Sequence, residues 1–253
     1  MSFVPVMKRE LKSFFYSPIA YVVLTIFLII TGYFFFVMMA GLSRYSSQMM
    51  QNPMAQINIT EMIIRPLFGN MTFILMLIMP ILTMRLFAEE KKSGTFELIT
   101  TYPIKDIDLV IGKVLACSGV FLAMLLCTGL YPVFMFSYSS PDPGVLGSAY
   151  LGLLLMGIAF IALGTFISSL TENQIVAAVM TFGASLLFWI IGWISQVSEG
   201  VFSKFLTQIS LLSHYENFSK GVIDLSDIIF YLSFSAFWIF LTLRSLESKK
   251  WRS

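Results

Sequence analysis

The side chains able to do chemistry are few and widely spaced. Histidine occurs once, at His214, so a histidine-cluster metal site lacks its parts and the residue reads as structural or interfacial. Cys117 and Cys127 are the two cysteines. On one helix they stand about 15 Å apart at roughly 1.5 Å per residue, too far to bridge, and they read as small apolar packing residues. Gly112-Lys113 has the look of the end of a phosphate loop. However, Ile107 occupies the earlier glycine position and Val114 stands where Ser or Thr should follow, so the chain carries no nucleotide site of that kind. Met49, Met50, Met54 and Met62 are soft ligands of the type that takes copper. Generic use of methionine at interfaces is the preferred reading.

The densest run of charge is more informative. Phe87 to Ile104 reads FAEEKKSGTFELITTYPI and separates two strongly hydrophobic segments. Glu89, Glu90, Lys91 and Lys92 open it, Ser93-Gly94-Thr95 supplies a breaker and a cap, and Phe96, Leu98 and Ile99 give an apolar surface before Pro103. The pattern predicts a short amphipathic helix able to dock in a partner's groove. A loop lying on lipid headgroups is the alternative, because apolar residues ringed by charge suit that surface too.

The elements that must position these residues follow from composition. The 253 residues are 57% hydrophobic and 12% charged, with a mean hydropathy of +0.84, values that exclude an ordinary water-soluble core. A helix crosses the hydrocarbon in about 20 residues. Six windows qualify, at roughly 19–41, 66–86, 114–137, 147–170, 174–197 and 228–243. The first is of full spanning length and lacks a cleavage site, so it is expected to be retained. The predicted fold is all-α and integral to the membrane, a single transmembrane domain over residues 1–253.

Lys8, Arg9, Lys12, Arg85, Lys91, Lys92, Lys105, Lys113, Arg244, Lys249, Lys250 and Arg252 fall on one side of this layout, against Arg44, Arg65, Lys204 and Lys220 on the other. The positive-inside rule therefore places both termini in the cytoplasm. Before the first span, Phe3, Met7, Leu11, Phe14 and Phe15 recur at helical spacing with Lys8, Arg9 and Lys12 between them, which predicts an interfacial helix. Ser17 caps and Pro18 starts the span that follows. In the fourth span Gly157, Gly164 and Ser168 share one stripe, where small residues let another helix approach closely. Asp224 and Asp227 are expected to cap the sixth. No Asp, Glu, Lys, Arg or His falls near the middle of any of the six windows, which argues against an ion-coupled transporter or an intramembrane enzyme.

Several of these residues carry a resemblance to the ABC-2 class of permeases. The matching positions are Glu90, Gly94, Thr95, Glu97, Pro103 and Ile104, the Gly112-Lys113 pair opening the third span, and Met7-Lys8-Arg9-Glu10-Leu11 with Ser17-Pro18 before the first. Within the class, Ser17-Pro18-Ile19-Ala20-Tyr21 and the stretch HYENFSKGVIDLSD from His214 to Asp227 are similar to permeases associated with gliding motility. The resemblance implies a multi-pass protein of the bacterial inner membrane that is not itself an enzyme. It implies a separate ABC ATPase subunit carrying ATP and Mg, a second permease copy, identical or related, and contact with membrane lipid but not with nucleic acid.

The segment around Glu89, Glu90, Gly94, Thr95, Phe96, Glu97 and Leu98 would then be the coupling helix seated on the ATPase. Glu89, Glu90 and Glu97 would pair with its basic residues, Phe96 and Leu98 would fill its groove, and Gly94 would permit the turn. Phe202, Phe205, Leu206 and Ile209, before the last span, would form an exit-gate element, or else a surface helix that merely anchors. The expected function is export of a substrate driven by that ATPase. A non-transporting membrane scaffold is the alternative.

Overall fold

The computed structural model describes residues 3–49, 60–97, 105–138, 141–197 and 206–250, all in helices, turns and short connections, with no strand among them. In chain order the helices are α1 (Val4–Tyr16), α2 (Pro18–Met49), α3 (Arg65–Thr83) after a π-helical turn at Thr60–Ile64, α4 (Arg85–Lys92), α5 (Asp106–Thr128), α6 (Leu130–Tyr138), α7 (Pro143–Leu170), α8 (Gln174–Val197), α9 (Leu211–Ser219) and α10 (Leu225–Lys250). Six stretches are long and apolar enough to span a bilayer: Pro18–Leu42, Thr60–Lys92, Asp106–Tyr138, Pro143–Leu170, Gln174–Gly192 and Leu225–Ser248.

Two of these spans run well past the windows expected for them. Thr60–Lys92 and Asp106–Tyr138 are each 33 residues long, or about 50 Å at roughly 1.5 Å per residue, against a hydrocarbon core of about 30 Å. Both helices therefore project beyond the apolar slab, and the extensions carry Arg85, Glu89, Glu90, Asp106, Asp108 and Lys113. The helices are therefore longer than the windows 66–86 and 114–137, and the added turns carry the charge. Hydropathy windows stop at the first charges, whereas the helical hydrogen-bond ladder does not.

α7 is the hub, packing against α10, α3, α9, α8, α5 and α4. Its small residues make this geometry possible. A Cβ added at Gly157 would lie 2.1 Å from the Phe121 ring of α5, one at Gly164 would lie 2.1 Å from Thr83 Oγ1 of α3, and one at Gly152 would lie 2.7 Å from Phe218 of α9. The stripe expected from Gly157, Gly164 and Ser168 is an intramolecular packing surface. The other spans are less enclosed: the spanning windows of α2, α8 and α10 are 17%, 22% and 22% buried, against 72%, 61% and 72% for those of α3, α5 and α7. α3, α5 and α7 thus form the core, and the remaining three spans form an outer shell.

Local signals behave largely as read. Pro18 is the first residue of α2, and Ser17 Oγ accepts the Ile19 N–H at 3.4 Å. Asp142 caps α7 by accepting the Gly144 N–H at 2.8 Å, and Ser210 caps α9 through the Ser213 N–H at 3.1 Å. Before α10 only Asp224 caps, accepting the Ser226 N–H at 2.9 Å. Asp227 is buried and turned elsewhere. Several intramembrane hydroxyls find partners within the bundle, which matters where water is absent: Thr31 and Tyr131 meet at 2.8 Å, and Tyr150 donates to the Thr128 carbonyl at 2.9 Å. Cys117 and Cys127 are free thiols, and Met62 packs against the core. Met50 and Met54 lie outside the described residues.

Replacement of Gly157 or Gly164 by alanine is expected to lower stability by about 1–3 kcal/mol through overpacking. It would be read as a reduced thermal midpoint of the detergent-purified protein. Gly183→Ala, where no atom lies within 4 Å of the added carbon, should leave the midpoint unchanged.

Candidate functional site

The charged extensions of two spans converge with α1 at one end of the bundle. α1 lies across α5, where its approach is closest at Gly112: a Cβ there would stand 2.8 Å from Val6. Leu11 packs near Gly119, and Phe14 is fully enclosed. Lys8, Arg9 and Lys12 face outward, as does Phe15. The predicted interfacial helix therefore exists, and it is docked on protein along much of its apolar face.

Lys113 is the centre of this junction. Its side chain is 1% exposed, and Nζ lies 2.9 Å from Glu10 Oε1 of α1 and 2.9 Å from Glu90 Oε1 of α4. The ammonium also stands 5.2 Å over the Phe87 ring. One positive charge on α5 thus holds two carboxylates on two other helices. Glu90 Oε2 is buried and accepts no hydrogen bond among the described residues. A second layer surrounds this triad: the Arg85 guanidinium lies 4.5 Å over the Phe14 ring, donates to Ser13 Oγ at 3.1 Å and meets Glu89 at 3.8 Å. The polar cleft so formed is lined by Arg9, Glu10, Arg85, Glu89, Glu90 and Lys113 together with Ser13, Ser93 and Thr95.

The α3–α4 junction is fixed from the opposite side by α7. Pro80 lies inside α3 and removes one ladder donor. Past it, Ser168 Oγ donates to the Met84 carbonyl at 2.9 Å and accepts the Phe87 and Ala88 N–H groups at 3.1 and 3.2 Å. The hydroxyl replaces ladder bonds that the break at Met84 would otherwise forfeit. Lys91 donates to the Ser169 carbonyl, and Ser169 meets Ser245 of α10 at 3.3 Å. The last turns of α10 therefore lie at the same end of the bundle as α1.

The predicted coupling residues separate into two groups. Glu89 and Glu97 face outward with Lys92 and Gly94, whereas Glu90 is turned inward to Lys113. Within this chain Glu90 is held by Lys113 at 2.9 Å. Lys113 stands in the sequence as a flanking charge and as half of the Gly112-Lys113 pair, and its contact with Glu10, 103 positions away, leaves no mark in residue spacing. Nor is the segment one helix: α4 ends at Ser93, Gly94 takes a φ of +70°, and helix resumes only at residues 95–97. A right-handed helix cannot pass through that conformation, which glycine adopts readily. Ser93 Oγ donates to the Glu89 carbonyl at 2.9 Å and pairs with Thr95 Oγ1 at 2.8 Å, closing the turn. Phe96 packs edge-on against Phe87 at 6.4 Å. Leu98, together with Phe202 and Phe205 of the expected exit element, lies outside the described residues. Leu206 and Ile209 are half-buried, and Ile209 lines an apolar groove with Phe188, Phe230, Phe234, Phe237 and Trp238.

Removing one member of a buried ion cluster leaves the other charges uncompensated, typically at about 3–5 kcal/mol. Lys113→Met is therefore expected to lower the thermal midpoint and to raise amide exchange in α1, as both carboxylates lose their partner. Glu10→Gln, which leaves Lys113 still paired with Glu90, should do so less. Equal behaviour of the two variants would contradict a shared ammonium.

The chain matches the family described as "ABC-2 family transporter protein" over residues 43–243. No curated protein matches it. The match covers most of the 253 residues, including four of the six spans in full and the sixth as far as residue 243, and the protein belongs to the ABC-2 transporter family as a membrane permease component of an ABC transporter.

Proposed function

We propose that this chain is the membrane subunit of an exporter and that the α1–α4–α5 junction receives motion from a separate ATPase subunit, which binds the ATP and Mg. The observation that carries this reading is the Lys113 ammonium shared between Glu10 and Glu90 at 2.9 Å each. A push on the exposed end of α4 would be passed through that group to α1 and to α5, and from α5 along its length into the bundle. Glu89, Gly94, Glu97 and Lys92, exposed around the Gly94 turn, would form the face that meets the ATPase, while Glu90 and Thr95 would brace it from behind.

The concentration of Lys and Arg at this end of the bundle supports a cytoplasmic position for it, in the inner membrane of a bacterium. The outer shell of α2, α8 and α10 leaves Ile29, Phe36, Leu187 and Phe240 among its exposed apolar residues. Such faces suit lipid and a second permease copy, and a pair of copies with two ATPases is the proposed assembly. Leu206 and Ile209 would belong to the exit. The likeness of residues 17–21 and 214–227 to gliding-motility permeases supports a place near that subfamily.

Glu97→Lys and Phe96→Asp are expected to reduce copurification of the ATPase subunit by about tenfold or more, since reversing or inserting a charge at a complementary surface costs more than about 1.4 kcal/mol. Amide exchange in α5 and α7 serves as the control for folding. Undiminished copurification with both variants would remove the assigned docking face.

A further inference from the structure

The face of α1 that α5 leaves uncovered is basic and aromatic. Val6, Glu10 and Phe14, spaced at i, i+4 and i+8, turn toward the bundle: Val6 approaches Gly112, Glu10 meets Lys113 at 2.9 Å and Phe14 is enclosed. Lys8, Lys12, Phe15 and Tyr16 fall on the other side of the helix, and all four are exposed. Neither lysine has an ion pair or hydrogen bond among the described residues. The chain offers them no local counter-charge either. Glu10 is the one acid in α1, and the next acidic residue along the sequence is Glu61. Like charges four residues apart on a helix repel, so this face is stabilised by an anion brought to it from outside.

A pocket of about 290 Å³ opens at the end of that face, lined by Leu11, Lys12, Phe15 and Tyr16 of α1 and Tyr21 of α2. The Phe15 and Tyr21 rings meet edge-on at 6.4 Å. Tyr16 and Tyr21 are exposed, and their hydroxyls bond no described residue. One cation and two phenolic donors thus stand together where the chain passes through Ser17 into the span that starts at Pro18. The start of a span is the level of the lipid phosphates, where tyrosines collect. Past Tyr21, α2 exposes Val22, Ile26, Ile29, Tyr33 and Phe36, three or four residues apart on one face, and this stripe leads into the hydrocarbon.

We propose that the α1–α2 elbow binds one anionic phospholipid, its phosphate at Lys12 and the two tyrosine hydroxyls and its acyl chains against the exposed stripe of α2. Charge selects the headgroup. A zwitterionic lipid brings an ammonium group beside Lys8 and Lys12, with no carboxylate lining the pocket to receive it, whereas an anionic headgroup brings none. Basic pockets beside membrane spans recognise headgroups in this way. Free phosphate satisfies the same donors but leaves the apolar stripe unused. The bound lipid also ties α1 to α2, which are joined in sequence by Ser17 alone. The inference stands apart from the ATPase reading, since it requires only that Pro18 begins a membrane span.

Native mass spectrometry of the delipidated full-length protein should show one phosphatidylglycerol retained about tenfold or more tightly than phosphatidylcholine with the same chains. Lys12→Glu should abolish that preference, and Tyr21→Phe should weaken phosphatidylglycerol retention about threefold or more. Lys220→Glu, an exposed charge between α9 and α10, should leave it unchanged. Amide exchange at residues 11–24 should slow on addition of phosphatidylglycerol but not of inorganic phosphate at the same concentration. Equal retention of the two lipids would overturn the site, as would full phosphatidylglycerol retention in Lys12→Glu. Slowed exchange with inorganic phosphate alone would overturn the lipid as the occupant. So would slowed exchange that follows dimer formation without added lipid, which would assign this face to a second copy of the chain.

Discussion

An ammonium group taken out of water must be neutralised where it sits, and one end of this bundle is organised around that requirement. Lys113 is 1% exposed, so neither lipid nor solvent can stabilise its charge. Two carboxylates from separate helices do so, and their backbones must be where those carboxylates can reach. The position of α1 across α5, the inward turn of α4 and the length of both charged extensions all serve that single contact. α1 in particular carries only Phe14 as a fully buried residue. The ion pair from Glu10 therefore supplements a small apolar interface.

The bundle interior obeys a different constraint, one of distance. Lipid tails are as apolar as the helices themselves, so close packing and hydrogen bonding must replace the hydrophobic effect between spans. α7 meets this by presenting Gly152, Gly157 and Gly164 to Phe218, Phe121 and Thr83, and by placing serines where backbone groups lack partners. Ser148 and Ser168 occupy opposite ends of the same helix and each bonds a backbone carbonyl of another element. The aromatic side chains around α10, with Phe234 between Phe188 and Trp238 at 5.1 and 6.0 Å, complete the packing on the less enclosed side.

Much of this was legible in the sequence because the signals were local. Six apolar runs gave six spans, Pro18 and Asp224 marked helix starts, the glycine stripe of α7 marked its contact face, and Gly94 marked a turn. What stayed hidden depended on contacts between residues distant in the chain. Glu90 and Glu97 have the same charge and lie on the same segment, yet one is clamped by Lys113 and the other is exposed, a distinction that no spacing rule encodes. Asp227 looked like a cap because it begins a helix. It instead serves His214, whose partner could be chosen only once α9 was folded back against α10. The helical extensions were missed for a simpler reason: charge ends a hydropathy window, but Glu, Lys and Arg are good helix formers and carry the helix onward.

The separation of Glu10 from Lys113 also sets an order of events during synthesis. The two residues are 103 positions apart, so at roughly 5–20 residues per second the first carboxylate emerges from the ribosome about 5–20 s before its ammonium exists. Throughout that interval α1 has no docking partner on α5. Its outward lysines and arginine and its aromatic side chains suit it to wait at the membrane surface, close to where the third span will appear. The junction at this end of the bundle can therefore close only after the helix that carries Lys113 has been made.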